Sequence, residues 1–289
     1  MAKDKTKGGA KEESWGKFFR DIAVILLLVL GIHSFIAKPF YIPSDSMMPG
    51  LLSGDRLLVS KYPYGWSYAS VSFHLAPKFA GRIFARLPER GDIVVLEHPG
   101  DRTDYIKRVV GLPGDTIEVR GGVLIINGTP VKREQQPNLI IPVDANTPSR
   151  GEAGGSALDI FAKQDAQGRM VLDIPIIRET LPGGATFDTI DMGERPSADE
   201  YHPNGRPYTV EADHVFLMGD NRDGSADSRF PISAAGLEGA VPFDSIAGRA
   251  EIITFSTDGT AKWYNPLSWF TALRSGRAGT DLTPERKGS

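Results

Sequence analysis

The sequence predicts a mostly β protein, an antiparallel core with an inserted smaller lobe, carried behind one N-terminal transmembrane helix. Three observations predict it. One uncharged, membrane-length apolar run lies near the N-terminus. Short alternating apolar segments separated by Gly, Pro and Asn turns follow it. Gly 32 and Pro 21 in a chain with 40% hydrophobic residues also favour strands and turns over a helical bundle.

At 289 residues and 31.4 kDa the chain can bury a sizeable core. Its net charge of −3 argues against a dedicated nucleic-acid binder. With no cysteine, disulfides, thiolate metal sites and a thiol nucleophile are excluded.

Residues 1–17 are Lys-rich and read as a disordered cytoplasmic tail, and residues 18–38 as the anchor. Ile22 to Ala37 holds sixteen residues without a formal charge, about 24 Å as a helix and slightly short of the hydrocarbon core. Phe18 and Phe19 add a turn if Arg20 snorkels, and Pro39 is expected to stop it. A cleavable leader is disfavoured, since Phe35 stands where the exit needs a small residue. Six basic residues precede the run and only Lys38 follows closely, so the N-terminus is expected inside and the bulk of the chain outside.

Immediately after the run comes Phe40-Tyr-Ile-Pro-Ser-Asp-Ser-Met-Met-Pro49. Pro43 and Pro49 make it stiff and non-helical, a way to present a serine hydroxyl, although Ser-x-Ser pairs are more often turn formers. Ser46 is nine residues past Ala37, so it stays within about 30 Å of the end of the span.

No acidic residue occurs between Asp55 and Glu89, where Arg56, Lys61, Lys78, Arg82 and Arg86 mix with seven aromatic residues. A surface lying on anionic headgroups and an ordinary loop with core aromatics both fit. Strands are expected at Ile93–Leu96 and Asp104–Val110, then a meander through Thr116–Arg120 and Val123–Ile126. The core is expected over 39–133 and 208–262, with 134–207 as the inserted variable lobe and 263–289 as a tail with a disordered end. Strands return at His214–Met218 and near Ala250–Phe255, and residues 266–275 either lie at the interface or dock on the core.

A serine nucleophile needs a base. The five histidines are scattered and no Gly-x-Ser-x-Gly occurs. A triad through His214 and Asp220 stays open as an alternative. The other candidate is Lys107, which shares a strand face with Tyr105 and Val109 and points either into the core or to water. A lysine is neutral in only about one molecule in a few thousand at pH 7 unless burial lowers its pKa. The polar turn Gly219–Arg229 offers Ser225 to orient an amine, with Asp227 and Arg229 as an ion pair. It does not fit an EF-hand, because Gly219 and Phe230 would take the first and last ligand positions.

Pro43-Ser-Asp-Ser-Met-Met-Pro49, Gly54-Asp55, Arg90-Gly-Asp92, Tyr105-Ile-Lys-Arg108 with Gly111-Leu-Pro-Gly-Asp115, and Gly219–Arg229 follow the order seen in bacterial type I signal peptidases. The chain resembles that family over about 20–130 and 208–255, with a single apparent span where some members have two.

The resemblance implies a barrel-like catalytic core, Ser46 as nucleophile and Lys107 as general base. It also implies an oxyanion hole from the Ser44 hydroxyl and Ser46 N–H, with Ser225 orienting Lys107 and Asp227 and Arg229 bracing the loop. Pockets for small side chains would come from Ile42, Met47, Leu51, Tyr105 and Ile106, joined by Phe40, Leu57, Val95 and Asp104 further upstream. The partners implied are Ala-x-Ala signal peptides of exported preproteins and the phospholipid of the bacterial cytoplasmic membrane, with no cofactor and no metal. A dedicated Ser/Lys processing protease of a secretion or conjugation system and a non-enzymatic anchored scaffold are the competing readings.

Overall fold

The computed structural model describes residues 15–147 and 157–286. Residues 1–14 of the expected tail, 148–156 of the expected lobe and 287–289 lie outside the described residues.

The chain opens with helix α1 (Trp15–Phe35) and enters strands β1 (Ala37–Tyr41), β2 (Asp55–Ser60), β3 (Ile93–Glu97) and β4 (Asp104–Gly111). Next come β5 (Thr116–Arg120), β6 (Val123–Ile126), β7 (Thr129–Pro130) and β8 (Lys132–Pro142). β9 (Ala162–Gln164), β10 (Met170–Thr180) and β11 (Ala185–Thr189) follow, then the short helix α2 (Pro196–Asp199) and β12 (Tyr208–Thr209). The chain finishes with β13 (His214–Met218), β14 (Val241–Pro242), β15 (Ile246–Ser256), helix α3 (Pro266–Thr271) and β16 (Glu285–Arg286).

All strand pairs are antiparallel, as expected of a mostly β chain. The main sheet runs β1-β2-β15-β3-β4-β13-β14, and the meander forms a second sheet, β12-β5-β6-β7. A third sheet, β16-β11-β10-β8 with β9 on β10, covers the region expected as the lobe, but its first strand already starts at Lys132.

Helix α1 is the one described helix long and apolar enough to cross a membrane, and its 21 residues give about 31 Å. It ends at Phe35, not at Pro39. Ala37–Tyr41 pairs with β2 instead, and Pro39 fits because β1 is an edge strand, where a missing N–H costs no ladder bond. The 62–74 segment ties down the helix end. Trp66 Nε1 donates to the Phe35 carbonyl at 2.9 Å, and Ser72 N–H donates to Ser34 Oγ at 3.1 Å. The aromatics of this basic stretch divide: Tyr64 and Tyr68 are core, while Phe73, Phe79 and Phe84 face outward.

The expected disordered end is corrected by its docking. Leu282 is buried in the core around Ile42 and Leu57, Arg274 pairs with Asp144, Arg277 pairs with Asp55, and β16 extends the third sheet.

Candidate active site

Ser46 lies in a turn clamped from two sides. Backbone pairing of Ile42 with Asp55 and Gly54 keeps the chain extended up to Ile42 (2.9 Å for both bonds). Then Met48 N–H bonds the Asp45 carbonyl at 3.1 Å, and Leu51 N–H bonds Met47 at 2.9 Å. The segment expected to be stiff and non-helical is a run of bends and turns from Ser44 to Leu51. Met47 and Leu51 are buried in the main core with Leu57, while Met48 and Leu52 pack with Leu158, Leu172 and Ile174 of the third sheet's core. Alternate apolar pairs thus anchor one short turn in two cores, and the hydroxyl between them is held in place.

β4 brings Lys107 to this turn. Lys107 is 3% exposed, and its Nζ lies 3.2 Å from Ser46 Oγ and donates to the Ile106 carbonyl at 3.1 Å. Of the two orientations the sequence left open, the structure has the inward one. Desolvation lowers its pKa to about 8, against the opposing pull of the Asp227 and Asp220 carboxylates. Ser44 is exposed, with its Oγ 3.5 Å from Ser46 Oγ.

The polar turn after β13 folds under the same point. Asn221 N–H donates to the Ser46 carbonyl at 3.2 Å, and its side-chain amide donates to the Asp45 carbonyl at 3.3 Å. Asp227 accepts the Gly219 N–H at 3.0 Å and pairs with Arg229 at 2.9 Å, both side chains almost wholly buried. Arg229 holds the Asp227 carboxyl below its usual range despite burial. Arg229 also donates to the Ala198 carbonyl of α2 at 2.9 Å, tying the loop to the next lobe. Ser225 is 5% exposed, and its Oγ has no hydrogen-bond partner among the described residues. The expected bond from Lys107 to Ser225 is not made in this conformation.

The His214–Asp220 alternative is dismantled. Asp220 makes a two-point pair with Arg108 (2.7 and 2.6 Å), and His214 Nδ1 is 2.8 Å from the Ala212 carbonyl. No group of His, Asp and Glu among the described residues could hold a metal ion.

A cavity of about 390 Å³ opens at the serine. Of the expected pocket residues, Phe40, Ile42, Val95, Asp104, Tyr105 and Ile106 line it, and Met47, Leu51 and Leu57 are buried in the core instead. Tyr41, Pro43 and Ala226 line it too but were not singled out from sequence, nor was Asn221. Asn221 sits within the polar turn that was, so the signal was the turn rather than the residue.

A family model described as "Signal peptidase, peptidase S26" matches residues 15–255. The signal peptidase I of Rickettsia typhi is 36% identical over 264 residues, 89% of this chain and 85% of that protein. The signal peptidase I of Rickettsia conorii is 34% identical over 259 residues, covering 88% and 83%. A crystal structure of a signal peptidase I from Enterococcus faecalis V583 overlaps 57% of this chain and 97% of that one, with 22% identity and a TM-score of 0.28. The sequence matches alone carry the assignment: the chain belongs to the signal peptidase family, peptidase S26, and is a serine peptidase.

Proposed function

We propose that the chain cuts signal peptides from exported preproteins with Ser46 as nucleophile and uncharged Lys107 as general base, while α1 anchors it in the membrane. The observation that carries this reading is the 3.2 Å contact between Ser46 Oγ and an amine that burial has brought down to a pKa of about 8. A neutral amine has one lone pair and two N–H bonds. The lone pair takes the Ser46 proton as Oγ attacks the scissile carbonyl, and the protonated amine then returns that proton to the leaving nitrogen. One N–H is already directed at the Ile106 carbonyl. The buried, unpartnered Ser225 Oγ is the acceptor suited to the other, fixing the lone pair on Ser46. The Ser46 N–H and Ser44 hydroxyl would stabilise the oxyanion, each such donor being worth about 3–4 kcal/mol in general.

Specificity follows from strand periodicity. In an extended peptide the first and third residues before the cut face the same way and the second faces away. Of the cavity lining, Ile42, Tyr105 and Ile106 would receive the first of these residues and Phe40, Val95 and Asp104 the third. Packed in one core with Ile42, Val95 and Ile106, the buried Met47, Leu51 and Leu57 would keep such pockets shallow. Ala-x-Ala fits that shape.

The excess of basic residues before α1 supports a cytoplasmic N-terminus and a catalytic domain on the outer side. A signal peptide is itself held by an apolar segment, so both partners meet at one depth, which raises their effective concentration. The test uses full-length chain in detergent with an Ala-Gln-Ala peptide. Ser46→Ala and Lys107→Arg should each abolish cleavage, since a guanidinium stays protonated. Wild-type rates in either variant would refute the dyad.

A further inference from the structure

We propose that a second cavity, sharing the Ser46 turn with the first, receives an apolar side chain from the mature region of the substrate, two to four residues after the cut. The inference rests on Ser46 being the nucleophile.

Ser44 and Ser46 line the first cavity, while Asp45 between them lines the second, of about 450 Å³. The first contains residues of β1 and β4 and the second contains none, so the two back onto one turn from different sides. A substrate extended from Phe40 towards Ser46 has its signal-peptide side in the first cavity. Its mature side would then continue past Asp45. Residues two to four beyond the cut reach roughly 7–14 Å from the scissile carbonyl, far enough to pass the Ser46 turn into the cavity that Asp45, Met48 and Leu52 line.

The chemistry of the second cavity selects the ligand. Its floor is apolar, with Met48, Leu52, Leu158 and Leu172 from one core cluster. The charged groups in its lining have partners of their own. Arg274 is paired with Asp144 and donates to the Ser53 carbonyl at 2.7 Å, and Arg277 is paired with Asp55 and donates to the Gly50 carbonyl at 2.9 Å. Asp258 accepts from Thr260 N–H (2.9 Å) and hydroxyl (2.6 Å). With Arg274 and Arg277 each paired to a carboxylate, no lining arginine among the described residues is left to attract an anion. A Leu or Phe side chain is favoured and an acidic one disfavoured.

The test uses full-length chain in detergent and peptides with one Ala-Gln-Ala cut site, placing Leu, Phe, Gly or Asp at the second, third and fourth residues after it. At one of these positions Leu or Phe should raise kcat/KM about tenfold over Asp, the scale of one apolar group in a pocket. Thr147→Trp and Ser275→Trp, both in the lining, should narrow that ratio to within about twofold while the all-Gly peptide is cut as before. Equal rates for all peptides, or a preference that survives both substitutions, would overturn the subsite while leaving the dyad intact. A second arm needs no turnover. A benzophenone-bearing third residue after the cut, bound to the Ser46→Ala chain, should label residues 45–53 or 271–277, and labelling confined to other segments would overturn the proposal.

Discussion

Gly219 packs directly against Ser225: a Cβ at position 219 would come within 2.2 Å of Ser225 Oγ, 2.4 Å of Ser225 Cβ and 2.5 Å of the Ser46 carbonyl oxygen. All three atoms belong to the residues that would carry and orient the reacting groups, and one of them, the Ser46 carbonyl oxygen, is backbone with little room to retreat. Gly219→Ala is therefore expected to push the polar loop away from the Ser46 turn. Since a misplacement of about 1 Å can cost about 10²-fold, kcat/KM should fall by about that factor with a lowered Tm. Unchanged kinetics would show that the loop does not position the serine.

Ser225→Ala probes the second half of that contact. The Oγ it removes is buried and makes no hydrogen bond among the described residues, so the folded state should lose little stability. If the hydroxyl engages Lys107 during the reaction, kcat should still drop roughly ten- to a hundredfold, the value of a hydrogen bond to a charged group. Loss of activity without loss of Tm is the expected result, and Ser225→Thr should restore part of the rate. An unaltered kcat would leave Ser225 as packing alone.

Lys107→Met should separate stability from activity. The folded-state pKa of Lys107 lies at about 8, below the 10.5 of a free lysine. A lowered pKa means folding opposes protonation, so burying the amine costs stability below pH 8, and the cost fades as pH rises towards 10.5. At pH 7 the cost is about 3 kcal/mol. The methionine variant should be inactive yet more stable than wild type at pH 7, with the gap narrowing at alkaline pH. Denaturant titrations at pH 7 and 9.5 would check it, and a less stable variant at both would contradict it.

The Arg108–Asp220 pair holds the base of the polar turn against β4, with the Arg108 guanidinium also 4.1 Å from the Phe187 ring. Removing one partner of a buried pair strands the other, at about 3–5 kcal/mol. Arg108→Met should destabilise by that amount, and adding Asp220→Asn should recover most of it. Equal stability of single and double variants in denaturant titration would show that the pair is not coupled.

The reach of the sequence was uneven, for physical reasons. Ser46 and Lys107 could be paired from motif order because each sits in a short segment whose local chemistry is unusual. The strands β3 to β6 were legible from alternation and from turns such as Asn127-Gly128. Other features depend on distant partners. Pro39 looks like a helix stop until β1 is seen pairing with β2 at the sheet edge. Residues 134–207 looked turn-rich partly because of Pro137 and Pro175, yet both fall where β8 and β10 shift register between Ile174 and Ile176, a place where proline is tolerated. The polar C-terminal stretch gave no local sign of docking, because Arg274 and Arg277 find Asp144 and Asp55 across 130 and 222 positions. Met48 and Leu52, the side of the serine turn that meets the third sheet, were hidden for the same reason.

The pH dependence of kcat/KM between pH 5 and 10 tests the central claim most directly, because the reacting form of Lys107 is the uncharged amine. The rate should climb about tenfold per pH unit and level off above the Lys107 pKa of about 8. A profile that is flat across this range, or one that levels off near the histidine value of about 6.5, would contradict a lysine base.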